Sequence, residues 1–227
     1  MNIFSIYSSM ERSARLCPDD ENIKMILRHS IRHSIAKGET GNEVDLTPEG
    51  KIMAWRLGES LDRDIGSISS SLVPRCVDTC KEIVAGYKQT HNASVLEIKQ
   101  TKLLQEPHFK DEIEAGKTSS NIGVDGIFKG FISNEKLSGM YDLDTSVKRL
   151  LDHVFSTGNN KNDIDVFCTH DFQLVMLLLY FFGINEEHYD SLLNGEWPLM
   201  LEGMFLWGNR NDFNIIWRGE TNKIVEK

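Results

Sequence analysis

The stretch that decides the fold lies near the start of the chain, where residues 23–33 read IKMILRHSIRH. Residues 23–27 form a short, mainly apolar run, which is typical of a buried strand. The next six residues, 28–33, contain two arginines and two histidines. In α/β proteins ligands bind at the carboxyl ends of strands, so this arrangement predicts a site directly after residue 27.

The rest of the chain alternates short apolar runs with segments of helical period. Further strands are predicted at residues 67–70, 95–104 and 163–168, helices at 47–61, 74–87, 144–155 and 172–182, and a closing hairpin at 204–207 and 213–217. Thr47 is expected to cap the first helix, and Pro48 suits its first turn. This alternation predicts an α/β fold, a three-layer α/β/α sandwich with a mostly parallel central sheet.

Residues 107–138 interrupt the alternation. They contain Gly116, Gly123, Gly126 and Gly130 and show no clear period, so we predict an irregular loop. Loops of this length in a compact domain are usually functional or mobile. With 227 residues, the chain is expected to form a single domain over residues 1–227, with an insertion at about 107–138.

Composition and charge exclude several classes of protein. Apolar residues make up 40% and charged residues 26% of the chain, which excludes a disordered chain, a collagen-like repeat and a coiled coil. The net charge is −9, so most of the surface should repel nucleic acids and acidic membranes. We expect neither as a partner, and the sequence does not indicate the oligomeric state.

No segment resembles a leader or a membrane span. The longest apolar run, Leu174–Phe182, is far shorter than the ~20 residues that a span needs, and Met1–Met10 lacks the features of a signal peptide. The four cysteines are too few and too scattered for a disulfide framework. We expect a cytoplasmic protein with reduced, half-buried cysteines, of which Cys76 and Cys80 share one helix face.

The basic hexapeptide at 28–33 suits a phosphate group. The planar guanidinium groups of Arg28 and Arg32 can each bind two phosphate oxygens and hold them against an imidazole. A neutral imidazole is a nucleophile that can form a phosphohistidine. Two other interpretations stay open here: a solvated basic loop, or a metal site, since His29 and His33 have a spacing that suits metal ligands on a helix.

Two further strand ends carry related groups. His170 and Asp171 follow the predicted strand at 163–168, although His170 alone would more often be a structural histidine. Arg75 lies in the first turn of a predicted helix, where the helix N-terminus favours anions. These ends would bring three arginines and two histidines into one crevice. Residues 197–203 are interpreted as hairpin packing, or else as a wall of that crevice.

Four motifs in this order resemble the histidine phosphatase superfamily. They are Arg28-His29-Ser30-Ile31-Arg32, Leu46-Thr47-Pro48-Glu49-Gly50, Ser71-Leu72-Val73-Pro74-Arg75-Cys76 with Thr79, and His170-Asp171. They extend over about residues 23–175, and the hairpin that follows also fits. The resemblance implies a phosphoglycerate mutase-like fold and phosphate chemistry.

The resemblance also implies roles for the matching residues. His29 corresponds to the nucleophile that is transiently phosphorylated. Arg28, Arg32 and Arg75 correspond to the phosphate-binding arginines, and His170 to the second histidine of the phosphate pocket. Insertions in this superfamily shape what the pocket accepts, so we expect the segment at 107–138 to cover the site.

Two residues compete for the role of the acid that protonates the leaving oxygen. The His170-Asp171 pair is similar to the acid phosphatase branch of the superfamily, which points to Asp171. Residues 103–109 resemble the segment of the phosphoglycerate mutase branch that carries a glutamate acid, which points to Glu106. We favour Asp171 over Glu106. The other interpretation of Glu106 is an ordinary surface glutamate before a proline.

The sequence therefore predicts a phosphatase that hydrolyses a phosphate monoester through a phosphohistidine on His29. Ser30 and Ser34 depart from the acid phosphatase pattern, so a small cytoplasmic member fits better than a secreted one. The expected ligands are a small phosphorylated substrate and inorganic phosphate. A phosphomutase and a non-catalytic phospho-ligand binding module remain alternatives. We expect no cofactor and no metal, so activity should persist in a chelator.

Overall fold

The computed structural model describes residues 1, 7–35, 41–92, 96–158 and 160–225. Their strands form one sheet in the order β3-β2-β4-β1-β5-β6-β7. The strands are β1 (Ile23–Arg28), β2 (Ile65–Ser70), β3 (Ile98–Gln100), β4 (Ile164–Thr169), β5 (Gly203–Asn209), β6 (Asp212–Trp217) and β7 (Glu220–Val225). The helices are α1 (Ser8–Arg15), α2 (Pro48–Ser60), α3 (Pro74–Thr90), α4 (Glu112–Ile132), α5 (Leu143–Ser156), α6 (Asp171–Phe182) and α7 (Glu186–Ser191).

The sheet has a parallel core and an antiparallel extension. The strands β3, β2, β4 and β1 run parallel to one another. On the far side of β1, the strands β5, β6 and β7 are antiparallel. The predicted α/β fold and the closing hairpin are confirmed, and the predicted site falls on the parallel core.

Helices cover both faces of the sheet. Successive residues of a strand point to opposite faces. Met25 and Leu27 accordingly pack into a cluster with residues of α1, α2 and α3, whereas Ile26 packs with α4, α5 and α6. All residues of β1 and β4 are buried, as is typical of parallel strands covered on both faces. The ends of these two strands are therefore held by a packed core.

The start of α2 confirms the predicted cap. Oγ1 of Thr47 accepts the backbone N–H of Gly50 at 3.0 Å, and Pro48 occupies the first turn. A Cβ at Gly50 would lie 2.0 Å from the carbonyl oxygen of Ile31, so only glycine allows this close approach. The backbone of α2 therefore packs directly on the loop that carries the basic hexapeptide.

The prediction of an irregular loop over residues 107–138 is wrong. Most of this segment forms α4, and its N-cap Asp111 accepts the backbone N–H of Glu114 at 3.0 Å. The helix is interrupted at Gly123, where φ is 66° and ψ is −178°, a conformation that is essentially restricted to glycine. The glycines obscured the helix because glycine is unfavourable in helix interiors, but the buried ring of Phe128 anchors the second half in the core.

The strand expected over residues 95–104 also needs correction. Only Ile98–Gln100 is a strand, and a 3₁₀ turn follows at Lys102–Leu104. Val95 lies outside the described residues. The sequence predicts neither α1 nor β7. β3 and β7 are the two edges of the sheet and bury few side chains, which explains their weak sequence signal.

The four cysteines are free. They are fully buried rather than half-buried as predicted, and Cys76 and Cys80 lie in the cluster between α3 and the sheet. In the described part of the chain, no helix combines the length and hydropathy that a membrane crossing requires.

Candidate active site

The two predicted histidines lie side by side because β1 and β4 are neighbours. Arg28, the last residue of β1, is in register with Thr169, the last residue of β4. His29 and His170 therefore leave the sheet at the same edge, and their ring centroids are 5.5 Å apart. The backbone of His29 is held on both sides, since its N–H donates to the carbonyl of Thr169 at 2.9 Å and its carbonyl accepts the N–H of Leu201 at 3.1 Å.

The imidazole of His29 is held in one tautomer. Nδ1 lies 2.8 Å from the carbonyl oxygen of Ser30, and because a carbonyl only accepts, Nδ1 carries the proton of the neutral ring. Burial lowers the pKa of His29 well below its usual value, and the charges of Arg75 and Arg28 lower it further, against the hydrogen bond to Ser30. His29 is therefore neutral near pH 7, with the lone pair on Nε2.

Hydrogen bonds from α2 and α3 fix the loop that carries His29. The backbone N–H of Ser30 donates to Oγ1 of Thr79 at 3.0 Å, and Thr79 donates in turn to the carbonyl of Arg75 at 2.7 Å. The hydroxyl of Ser30 donates to the carbonyl of Gly50 at 2.7 Å. Thr79 therefore links the His29 loop to the helical turn that presents Arg75.

Arg75 and His170 are in direct contact. Nη2 of Arg75 lies 3.2 Å from Nδ1 of His170, and Nη1 donates to the carbonyl of Gly41 at 2.6 Å. A guanidinium only donates, so Nδ1 accepts, and the proton of the neutral His170 ring lies on Nε2, 2.9 Å from Oγ of Ser71. Sγ of Cys76 lies 3.6 Å from the same Nε2. The connection from β2 to α3 therefore positions both Arg75 and His170.

Arg28 is bound to Asp171. Nη2 of Arg28 lies 2.8 Å from Oδ2 of Asp171, and Nη1 donates to the carbonyl of Pro198 at 2.6 Å. Asp171 also accepts Nε1–H of Trp197 at 3.1 Å and the backbone N–H of Phe172 at 3.0 Å. In this arrangement the Asp171 carboxylate orients Arg28 and joins it to the segment that precedes β5.

The three predicted phosphate-binding arginines act on one another through their charges. Burial lowers the pKa of Arg28 and of Arg75, and the charge of Arg32 lowers both further. Arg32 is half-buried, and its Nη1 donates to the carbonyl of His33 at 2.8 Å. In all three guanidinium groups Nε is buried and has no hydrogen-bond partner among the described residues. Unused donors on neighbouring cations favour the binding of an anion between them.

Glu106 lies on another wall of the same crevice. Glu106, Arg75 and His170 line one cavity of about 530 Å³. Burial raises the pKa of Glu106, against a 3.3 Å hydrogen bond from Nε2 of Gln105 and the charge of Lys102. A carboxyl with a raised pKa at this position can hold a proton and donate it.

The segment at 107–138 borders the same cavity. Ser119 and Ser120 line it from the first half of α4, Val124 and Ile127 line it from the second half, and Gly123 lies between them. The interruption of the helix at Gly123 therefore lies at the cavity. The segment is helical rather than irregular, and its role as a cover for the site stays a prediction.

His33 lies apart from the other predicted groups. The loop after β1 is not helical, and the side chain of His33 is exposed whereas His29 is buried, so the spacing of the two histidines does not put them on one face. Among the described residues, no group of three or more His, Cys, Asp or Glu side chains could hold a metal ion.

Two contacts in the site are not predicted from the sequence. Ser71 accepts from His170; it begins the third motif of the resemblance, which gives it no role of its own. Trp197 donates to Asp171. It begins the segment 197–203, for which the sequence leaves open hairpin packing or a wall of the crevice, but the sequence does not indicate this contact. Both contacts depend on segments that are far apart in the chain.

Comparison with known protein families shows to which family this chain belongs. The sequence profile described as the histidine phosphatase superfamily (branch 1) matches residues 25–196, well over half of the chain. The chain belongs to the histidine phosphatase superfamily. The matched range includes all the predicted site residues, from Arg28 to Asp171. No curated protein sequence matches the chain significantly.

Three solved structures illustrate the fold of this histidine phosphatase superfamily member at low sequence identity. A phosphoglycerate mutase from Bacillus anthracis is 15% identical, with a TM-score of 0.55, and the match covers 89% of this chain and 95% of that chain. A mycobacterial glucosyl-3-phosphoglycerate phosphatase is 13% identical, with a TM-score of 0.51 and coverage of 91% and 98%. A phosphoserine phosphatase mutant from Entamoeba histolytica, in complex with phosphoserine, is 19% identical, with a TM-score of 0.50 and coverage of 89% and 94%. These similarities establish a phosphoglycerate mutase-like fold.

Proposed function

We propose that the protein is a phosphatase that hydrolyses a phosphate monoester through a phosphohistidine on His29. The observation that carries the proposal is the tautomer of His29: Nδ1 is bound to the carbonyl of Ser30, so a buried neutral ring has its lone pair on Nε2. Such a nucleophile needs no separate base to remove a proton. Phosphatases of phosphoserine and of glucosyl-3-phosphoglycerate share the fold, which supports a small phosphorylated substrate.

The reaction has two displacement steps at phosphorus. Nε2 of His29 attacks in line with the leaving oxygen, so an N–P bond forms while the P–O bond breaks and the acid gives its proton to that oxygen. The three guanidinium groups neutralise the phosphoryl oxygens, and His170 contacts the same group. Water then attacks phosphorus, its proton passes to the carboxylate, the N–P bond breaks, and inorganic phosphate leaves.

We propose Glu106 as the acid, in place of the Asp171 that the sequence favours. Burial raises the pKa of Glu106, and its side chain lines the cavity together with His170. Oδ2 of Asp171 accepts from Arg28 and Trp197, and Oδ1 accepts the backbone N–H of Phe172. In the proposed mechanism Asp171 is a positioning residue that holds Arg28 toward the phosphoryl group.

The cationic side chains account for charge neutralisation at the phosphoryl group. In many phosphoryl-transfer enzymes a metal ion neutralises this charge. Here Arg28, Arg32 and Arg75 each have a buried Nε without a partner among the described residues. We therefore propose catalysis without a metal ion, with full turnover in the presence of a chelator.

Trapping the phosphorylated protein tests this proposal. After a short reaction with a labelled aryl phosphate and an alkaline quench, the wild-type protein should carry label that is stable to base and labile to acid. His29→Ala should carry none while its circular dichroism spectrum stays unchanged. His33→Ala is the matched control, because His33 is exposed on the same loop, and it should keep both the label and the turnover. Turnover by His29→Ala at the wild-type rate would contradict the mechanism.

The same measurements separate the alternatives. Label on His29 that returns to a second hydroxyl, with no release of inorganic phosphate, would indicate a phosphomutase. Binding of phosphate esters without any labelled protein would indicate a non-catalytic binding module. The proposal requires both the labelled intermediate and the release of phosphate.

A further inference from the structure

The cavity beside the phosphate-binding groups has several apolar residues in its lining. We use the name leaving-group chamber for the part lined by Val73, Phe109, Val124, Ile127 and Phe172. Val124 is 50% exposed, and the rings of Phe109 and Phe172 are only partly buried. Apolar surface therefore faces the cavity instead of being covered by protein.

The aromatic wall of the leaving-group chamber is supported from the core. Phe172 stacks with His108 at 4.4 Å between ring centroids and with Phe128 at 4.6 Å, both with 28° between the ring planes. Phe128 is fully buried and meets Trp197 edge-on. Rings that are fixed in this way form a wall before any ligand binds, as is usual in small-molecule sites.

The leaving-group chamber offers almost no positive charge. Among the described residues that line the cavity, Arg75 is the only lysine or arginine, and the proposed function uses it for the phosphoryl group. His108 also lines the cavity, but burial lowers its pKa to about 3, so its ring is neutral near pH 7. A carboxylate or second phosphate on the leaving group would find no lysine or arginine besides Arg75 among the described residues of the lining.

Two buried polar atoms at the cavity have no partner. Oε1 of Gln105 and Nδ1 of His108 are buried without a hydrogen bond among the described residues, and both residues line the cavity. Both groups are uncharged. Oε1 of Gln105 only accepts, so it suits a donor on the ligand such as a hydroxyl or an amide, and Nδ1 of an uncharged imidazole can pair with the same groups.

We infer that the leaving group is an uncharged, mainly apolar alcohol of the aryl or arylalkyl class, carrying at most a neutral polar substituent. This inference rests on the proposed phosphatase function and names its substrate class. A cavity of about 530 Å³ is in the usual size range for small organic ligands. Apolar surface gains free energy when it leaves water, whereas an unpaired anion loses hydration on entering the same space.

Three alkyl phosphates test this substrate class. In 2-phenylethyl phosphate and O-phosphoserine the phosphate is on a primary alcohol, so the comparison depends mainly on the rest of the leaving group. We expect kcat/KM for 2-phenylethyl phosphate to exceed that for ethyl phosphate by at least ~10-fold and that for O-phosphoserine by ~100-fold. Equal or faster hydrolysis of O-phosphoserine would overturn the inference.

A lysine placed in the leaving-group chamber should change this preference. Val124→Lys should raise kcat/KM for O-phosphoserine relative to 2-phenylethyl phosphate by about 10-fold, because it supplies the missing cation. Ile122→Lys is the matched control: Ile122 is 41% exposed on the same helix but does not line the cavity. A ratio that shifts equally in both variants would show that the leaving group does not bind in the chamber.

Binding to His29→Ala distinguishes failure of this inference from failure of the proposed function. Calorimetry with 2-phenylethyl phosphate and O-phosphoserine measures the preference without turnover. Preferential binding of the apolar ester, with no labelled intermediate in the wild-type protein, would refute the phosphatase and support the chamber. Equal binding of the two esters, with release of phosphate by the wild-type protein, would refute the chamber and support the phosphatase.

Discussion

The two sides of the crevice are built in different ways. On the phosphate side, Arg28, His29 and His170 lie at the ends of packed parallel strands, and Arg75 lies in the first turn of α3. On the leaving-group side, residues 102–132 form a 3₁₀ turn and a helix that is interrupted at Gly123. Hydrogen bonds between neighbouring elements hold the first side. On the second side, core packing of rings such as Phe128 acts together with hydrogen bonds to the loops, among them those to the carbonyls of Leu104 and His108. A site of this kind can keep its chemistry constant while the choice of substrate changes.

The largest effect is expected on the phosphate side. Arg75→Ala removes a buried guanidinium that contacts His170, and kcat/KM should fall ~10²–10³-fold, or about 3–4 kcal/mol. Steady-state kinetics with an aryl phosphate measures the loss. Arg15→Ala, exposed on α1, is the control and should leave activity unchanged. If the two variants behave alike, Arg75 does not bind the phosphoryl group.

The next prediction tests whether Glu106 or Asp171 is the acid that protonates the leaving oxygen. Glu106→Gln should slow 2-phenylethyl phosphate ~10²-fold and p-nitrophenyl phosphate far less, since only a poor leaving group needs the proton. Asp171→Asn should slow both esters by a similar factor, because it weakens the hold on Arg28. The reverse pattern would return the acid role to Asp171.

The pH profile sharpens the same assignment. With its pKa raised by burial, Glu106 loses its proton as the pH rises, so kcat/KM for 2-phenylethyl phosphate should fall on the alkaline side of that pKa. His29 has a lowered pKa and should stay neutral through this range, so it does not cause the fall. In Glu106→Gln this alkaline decline should be absent, and its persistence would contradict the assignment.

A smaller effect concerns the stability of the aromatic wall. The pKa of His108 is lowered to about 3 in the folded protein, against ~6.5 in an unfolded chain. Below ~6.5 the unfolded chain therefore binds a proton that the folded protein does not, so stability should fall by about 2 kcal/mol between about pH 6.5 and 5. His108→Phe keeps the ring stack and should remove this part of the decline, as measured by urea unfolding. His33→Phe, on an exposed site, should retain it.

The smallest effect concerns the interruption in α4. Gly123→Ala should destabilise the protein by about 1 kcal/mol or slightly more, because φ is 66° there. Gly116→Ala on the same helix is the matched control and should stabilise the protein by ~0.5–1 kcal/mol. A Cβ at either position meets nothing within 4 Å, so the difference between the variants reports on the backbone alone. Equal changes in the unfolding midpoint would show that the interruption does not persist in solution.

The phosphate side was predictable because local patterns determine it. A short apolar run marks β1, the charged hexapeptide follows at once, and the carboxyl ends of parallel strands meet at one edge of the sheet. Thr47, Pro48 and Gly50 mark the start of α2 in the same local way. The positions of His29 and Arg75 on their elements follow from these signals, whereas their roles in catalysis remain proposals.

The leaving-group side was harder to predict because long-range packing determines it. In α4 the four glycines argue against a helix, and it forms because rings such as Phe128 and Phe131 pack in the core. The contacts of Asp171 with Arg28 and Trp197 join three distant parts of the chain. Single-sequence patterns do not contain such contacts, which is why the preference between Asp171 and Glu106 could not be derived from the sequence alone.

The carbonyl of Pro198 accepts from Arg28, and the N–H of Leu201 donates to the carbonyl of His29. The carbonyl of Pro198 and the N–H of Leu201 both lie beyond residue 196, where the match to the superfamily ends. A fragment that ended at residue 196 would keep every side chain of the superfamily motifs. It would lose the hydrogen bonds that Pro198 and Leu201 make with Arg28 and His29. The range of residues that identifies the family is therefore shorter than the range that holds the site in place.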